Sequence, residues 1–208
     1  MERCNHNGRV EMVEASGLLS EAALAEPEWA NRVRAAMPES LVDEGEFDED
    51  ADEDQARQDL EEICASVLSD ARAIAHPDWG GLVRAVVALS ADYRELTEDA
   101  YGEALDPDRA DEDEGGVVDM MTDMGLSTID LAFRLLALPG AVARDDWAEL
   151  VRHVLEEKKQ RFGTGMFLSD GWEECDELFR SDVVRKHPQA AELRRIAGEI
   201  LPLKSELF

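Results

Sequence analysis

His76-Pro77-Asp78-Trp79-Gly80-Gly81-Leu82-Val83-Arg84-Ala85-Val86-Val87 decides the class of this chain. Its apolar residues follow Trp79 at the third and fourth positions (Leu82, Val83) and again at the seventh and eighth (Val86, Val87). That spacing lays one apolar stripe along a helix and fits no strand, whose side chains alternate every second residue. The template occurs twice more. Glu26-Pro27-Glu28-Trp29 leads into Val33-Arg34, with Ala36 and Met37 one turn on. Arg144-Asp145-Asp146-Trp147 leads into Leu150-Val151-Arg152, with Val154 and Leu155 beyond. The helix starts make sense locally. Pro27 and Pro77 suit a first helical position, where no N–H is needed. Asp146 with Glu149 spells a capping box, and acids at these starts favour the positive end of the helix dipole.

Between these segments lie further helical patterns. Leu60, Ile63, Cys64, Val67, Leu68, Ala71 and Ile74 share one face for about four turns. The stretch 117–138 is rich in Met and Leu, with a break near Gly125. Asp170 with Glu173 starts a short helix from Trp172 to Phe179, and Pro188 begins a last one through Leu193, Ile196 and Ile200. No sustained alternation of strand type occurs. The expectation is an all-α chain of about seven to nine helices, a multi-helix bundle or a short α-solenoid-like array. Residues 1–208 read as one domain, with a helical unit duplicated over 26–75 and 76–143. The stretch 83–89 is similar to the second helix of a HEAT repeat. The tryptophan spacings of 50 and 68 residues do not match that family's period of about 40, so membership is not expected. The tryptophans are read as core.

Charge bounds the function. The chain has 208 residues, 49 acidic and 21 basic, for a net charge of −28. A nucleic-acid binder needs a basic surface to displace counterions from phosphates, and an anionic membrane attracts polybasic segments; both readings are excluded by sign. Hydrophobic residues make up 44% of the chain, enough for a core despite the charge. No apolar run is long enough to span a membrane, and Met1–His6 opens no signal-peptide core. The excess charge is not spread evenly: the last 58 residues carry 10 basic and 11 acidic groups. Two runs hold much of the remainder. Nine carboxylates fall in 43–54 with no base, and nine in 98–114 with Arg109 alone. Gly45, Gly102, Pro107, Gly115 and Gly116 mark both as loops, the second acidic loop centred on 106–116.

Few residues spell chemistry. Phosphate-loop, dinucleotide, zincin and nucleophile-elbow signatures are all absent. Cys4, Cys64 and Cys175 form no disulfide framework or zinc pair, which fits a reducing cytoplasm. Cys64 reads as a small buried hydrophobe. His6, His76, His153 and His187 are scattered, and Glu149 stands four residues before His153 rather than the three of a di-iron helix. Glu173-Glu174-Cys175-Asp176-Glu177 and Glu103-Ala104-Leu105-Asp106 contain EExxE and ExxD. All-α nucleotide pyrophosphohydrolases hold Mg²⁺ with the same motifs in the opposite order. Asp111-x-Asp113 resembles a calcium loop but lacks its final bidentate Glu, since Thr122 stands there. No cofactor and no metal are expected.

The expectation that remains is a non-enzymatic, cytoplasmic interaction module of inhibitor, immunity or adaptor type, meeting a basic protein partner. Its contact residues would be Asp48, Glu49, Asp50, Asp52, Glu53 and Asp54 in the first run and Asp111, Glu112, Asp113 and Glu114 in the second. Phe162, Met166 and Phe167, from the apolar loop 161–168, would add specificity. A DNA-mimicking inhibitor and a metal-dependent all-α hydrolase are the alternatives.

Overall fold

A computed structural model describes residues 17–38, 52–89, 128–162 and 172–200. Every element among them is helical. In chain order these are α1 (Glu21–Leu24), α2 (Trp29–Ala36), α3 (Asp52–Ile63) continued by a π-helical turn (Cys64–Leu68), α4 (Ala71–Ile74), α5 (Trp79–Ala88), α6 (128–136), α7 (Pro139–Val142), α8 (Trp147–Phe162), α9 (Trp172–Arg180), α10 (Asp182–Arg185) and α11 (Ala190–Ile200). The described residues thus hold more helical segments than the seven to nine expected, because each of four short helices stands apart from its neighbours.

One local geometry recurs. A helix ends, the chain turns, a four-residue helix follows, and a second turn leads into a longer helix headed by Trp29, Trp79, Trp147 or Ala190. In all four copies two backbone bonds close the second turn. The residue three before the head donates to the residue three earlier still (Glu26 to Ala23, His76 to Ala73, Arg144 to Ala141, His187 to Val184). The head residue then donates to the residue three before itself, at 3.1, 3.1, 3.3 and 3.0 Å. In the first three copies the indole N–H also reaches back eleven residues to a leucine carbonyl, Leu18, Leu68 and Leu136, each at 2.9 Å. All three tryptophans are fully buried, so that bond satisfies a donor that would otherwise be stranded in the core.

The fourth copy is not visible in the tryptophan pattern, because Ala190 stands at the head and Phe179 stands where the other copies have leucine. Both are buried. The geometry also moves three expected starts. Pro27, Pro77 and Pro188 sit in the turn two residues before the helix, not at its first position. There proline's fixed φ shapes the turn, and the head residue opens the helix. The Asp146–Glu149 capping box is not made either: Asp146 accepts from Arg144, and Glu149 accepts from Arg84.

The stripe over 60–74 is likewise interrupted. Leu60, Ile63, Cys64, Val67, Leu68 and Ile74 are buried, but Ala71 is exposed and Ala73 takes the inward place. The break falls after the π turn. Ser66 and Ser69 hydroxyls bond back to Glu62 and Ala65 carbonyls there, competing with the helical ladder. Asp70 then caps α4 by accepting from the Arg72 N–H at 2.8 Å. The Arg72 guanidinium on the same carboxylate holds its pKa down at about 2.

The copies pack in chain order. Helix α2 lies on α5, α5 on α8 and α8 on α11; the short helices follow, α4 on α7 and α7 on α10. Two side-chain contacts recur at the junctions, one at all three and one at the last two. The residue three before each head covers the preceding tryptophan. His76 stacks on Trp29 and His187 on Trp147 with ring centroids 4.4 Å apart, and the Arg144 guanidinium lies 5.3 Å above the Trp79 ring. Five residues after each head stands an arginine, and at the second and third junctions it reaches the third residue of the next long helix. Arg84 meets Glu149 at 2.6 Å and Arg152 meets Glu192 at 3.5 Å. Arg34 points at Gly81, where no side chain answers it, and Arg195, in the last described copy, turns to Glu199 of its own helix. Exposed ion pairs are worth ~0.2–1 kcal/mol each, whereas a buried tryptophan carries several times that. Tryptophan burial therefore holds the stack, and the arginine pairs are a small addition at its surface.

Candidate functional site

The residues expected to meet a partner fall mostly outside the described residues: Asp48, Glu49, Asp50, Asp111, Glu112, Asp113, Glu114, Met166 and Phe167 all do. Asp52, Glu53 and Asp54 do not belong to a loop; they open α3, which continues the first acidic run as a helix with six carboxylates and Arg57 as its one base. Phe162 is the last residue of α8 rather than part of a loop. The described residues carry 24 acidic and 16 basic side chains, a net −8 of the chain's −28. The helical scaffold is therefore only mildly acidic, and the remainder lies in the other segments.

Those segments share a place in the chain. Segments 39–51, 90–127 and 163–171 each follow a long head helix and precede the first helix of the next copy. Two of the three hold the acidic runs, and the third holds the apolar stretch with Met166 and Phe167. The tryptophan pattern already places both acidic runs after a head helix; the fourth copy adds the apolar stretch to the same position.

Among the described residues, one concave feature stands between copies two and three. A groove of about 260 Å³ is lined by Glu61, Cys64, Ala65 and Ser69 on one wall and by Leu131, Arg134, Leu135 and Leu138 on the other. Its first wall is the end of α3 and the π turn; its second is α6 and the turn after it. Leu131 and Leu135 are one turn apart, with Leu138 a further turn on, so one face of α6 supplies the apolar side. Arg134 is held by Glu174 of α9 at 2.7 Å. Burial pushes the Cys64 thiol up to about 12, so it forms part of the floor as an inert hydrophobe and not as a nucleophile.

Deeper in, α6, α8 and α9 bring charged groups together. Lys158 is 4% exposed, and its pKa is lowered because burial penalises the ammonium; Cys175, Asp130 and Glu174 act against that shift. Asp176, also buried, pairs with Arg180 at 2.5 Å. That pair spans one turn of α9 itself, with the Arg180 end half exposed. Of the hydrolase motifs, Glu103 and Asp106 lie outside the described residues and Glu174 is committed to Arg134. No group of three or more metal-ligating side chains converges among the described residues, and no helix there is long and apolar enough to cross a membrane. No protein-family model, curated protein or solved structure matches this chain.

Proposed function

We propose that this chain is a helical-repeat interaction module of four units, stacked as a short α-solenoid-like array, that binds a basic protein partner without catalysing a reaction. The observation that carries this reading is the common place of its unusual segments. Both acidic runs and the apolar stretch stand between one unit and the next. In repeat arrays, material inserted per unit maps to one face, and that face is often the binding one. On this reading Asp48, Glu49 and Asp50, then Asp111, Glu112, Asp113 and Glu114, draw the partner in by its charge. Met166 and Phe167 supply apolar contact once it has arrived. The first residues of α3, Asp52, Glu53 and Asp54, extend the acidic field onto a helix.

The test is binding of the full chain to polylysine and to small basic proteins at low and high salt. Affinity falls steeply as salt rises, because exposed charges are screened. It also falls when the seven carboxylates at 48–50 and 111–114 are replaced together by their amides. Affinity that ignores both salt and these replacements removes the reading. The helical position of Asp52–Asp54 gives the DNA-mimic version its one support, since a mimic needs carboxylates held on a rigid element. That version requires duplex DNA to displace the bound partner.

A further inference from the structure

We propose that the groove between α3 and α6 is a docking site for one bulky aliphatic side chain carried on a lysine- or arginine-rich amphipathic segment of a partner protein. The inference rests on the reading of this chain as an interaction module and adds where, and by what chemistry, the partner is recognised.

Three observations converge. The groove has the size of one or two apolar side chains, about 260 Å³, with Leu131, Leu135 and Cys64 as its floor and half-buried Leu138 and exposed Ala65 at its mouth. Its first wall is built on a π turn. Such turns are wider than α turns, are costly to keep, and recur at functional sites. The third observation is charge. Helix α3, which ends in that wall, carries six carboxylates against Arg57. Glu61 lines the groove itself and Glu62 is exposed beside it. The arginine on the opposite wall, Arg134, is paired with Glu174 and also feels Asp130 and Glu61, so carboxylates outnumber it around the groove. A segment with an apolar anchor and flanking positive charges therefore complements both the floor and the rim, whereas an acidic segment meets repulsion from α3. Helix-in-groove recognition seats an apolar anchor of the partner in such a cleft, here against Leu131 and Leu135.

The experiment titrates the full ¹⁵N-labelled chain with a synthetic amphipathic Leu/Lys helix and with its counterpart in which Leu is replaced by Ser. The Leu/Lys peptide should shift amide signals of 61–69 and 131–138, and the Ser peptide should bind roughly ten-fold more weakly or worse, since the anchor's burial is lost. Ala65→Trp fills the mouth and Glu61→Lys reverses the rim. Each should weaken the Leu/Lys peptide by a similar factor, while Glu199→Lys, remote on α11, leaves it unchanged. Thermal melts confirm that each variant folds, and the two groove variants act independently should one fail to. Equal binding of both peptides, unaffected by Ala65→Trp yet abolished by salt, overturns the groove and leaves the acidic-module reading standing. Absence of binding by either peptide overturns both.

Discussion

Gly81 occupies the one junction position where the arginine ladder has no rung. In the later junctions a glutamate stands third in the long helix and answers the arginine of the preceding unit, as Glu149 does for Arg84 and Glu192 for Arg152. At the first junction Arg34 Nη2 lies 3.1 Å from where a β-carbon on Gly81 would stand. That atom is the far end of a flexible side chain, held among the described residues only by a long bond from Nη1 to Asn31, so it yields to a new side chain at little cost. Gly81→Glu is expected to stabilise the protein for three reasons. Replacing glycine in a helix gains up to ~1 kcal/mol; a carboxylate in the first turn gains ~0.3–1 kcal/mol from the helix dipole; and an exposed ion pair adds ~0.2–1 kcal/mol. Because these effects overlap, the net expectation is about 1–2 kcal/mol. For a chain of this size that raises Tm by roughly 3–6 °C. Calorimetry or chemical denaturation of Gly81→Glu, Gly81→Ala, Arg34→Ala and the double variant separates the pair from the helix effect. If Gly81→Ala stabilises as much as Gly81→Glu and the cycle shows no coupling to Arg34, the ladder has no energetic meaning. If Gly81→Glu destabilises, the junction geometry itself is wrong.

Gly80, its neighbour, behaves oppositely: a β-carbon there would lie 2.7 Å from Asp146 Oδ2, an atom Arg144 holds in place. Gly80→Ala should therefore cost about 1–3 kcal/mol in denaturant titrations, as other overpacked sites do; a gain would show that Asp146 moves freely. Trp147→Ala should cost ~3–5 kcal/mol. Trp147→Phe should cost less, ~1–3 kcal/mol, because it keeps most of the packing while leaving the Leu136 carbonyl without its donor; a cost near zero for Trp147→Phe would mean that the indole bond contributes nothing. Cys64 and Cys175 are both raised to about 12 by burial. Above about pH 9 the unfolded chain loses thiol protons that the folded one keeps, so their stabilisation is complete below that pH and drains as pH climbs toward 12. Between pH 8 and pH 10 the wild type should lose roughly 2–3 kcal/mol more than the Cys64→Ala/Cys175→Ala double variant. Lys158 shifts the other way, so the difference between the two proteins, not the absolute slope, is the measurement; matching slopes would refute the thiol burial.

Much of the scaffold could be read before any coordinates. Leu82, Val83, Val86 and Val87 are all fully buried, as are Leu150, Val151, Val154 and Leu155, because an amphipathic stripe is a local property with a fixed period. The starts were misread by two residues because proline satisfies a first helical position and a preceding turn equally well; only the backbone bonds separate them. The fourth unit escaped because Ala190 carries no tryptophan to announce it. Lys158 escaped because a lysine in an amphipathic helix reads as surface unless the packing partner is known.

The sequence alone determined that the described segments are helical, which faces of those helices are apolar, and that the charge is concentrated in two runs. All of these depend on residues within a few turns of one another. The tertiary structure decided what the turns are for. His76, Arg144 and His187 each cover the tryptophan of the unit before, and Arg84 and Arg152 reach the unit after. Those partners stand some forty to seventy residues apart, too far for any local period to relate them. The groove between α3 and α6 has the same origin. Each wall is an ordinary apolar stripe by itself, and only their approach, across a π turn that no sequence pattern marked, makes a concave site of them.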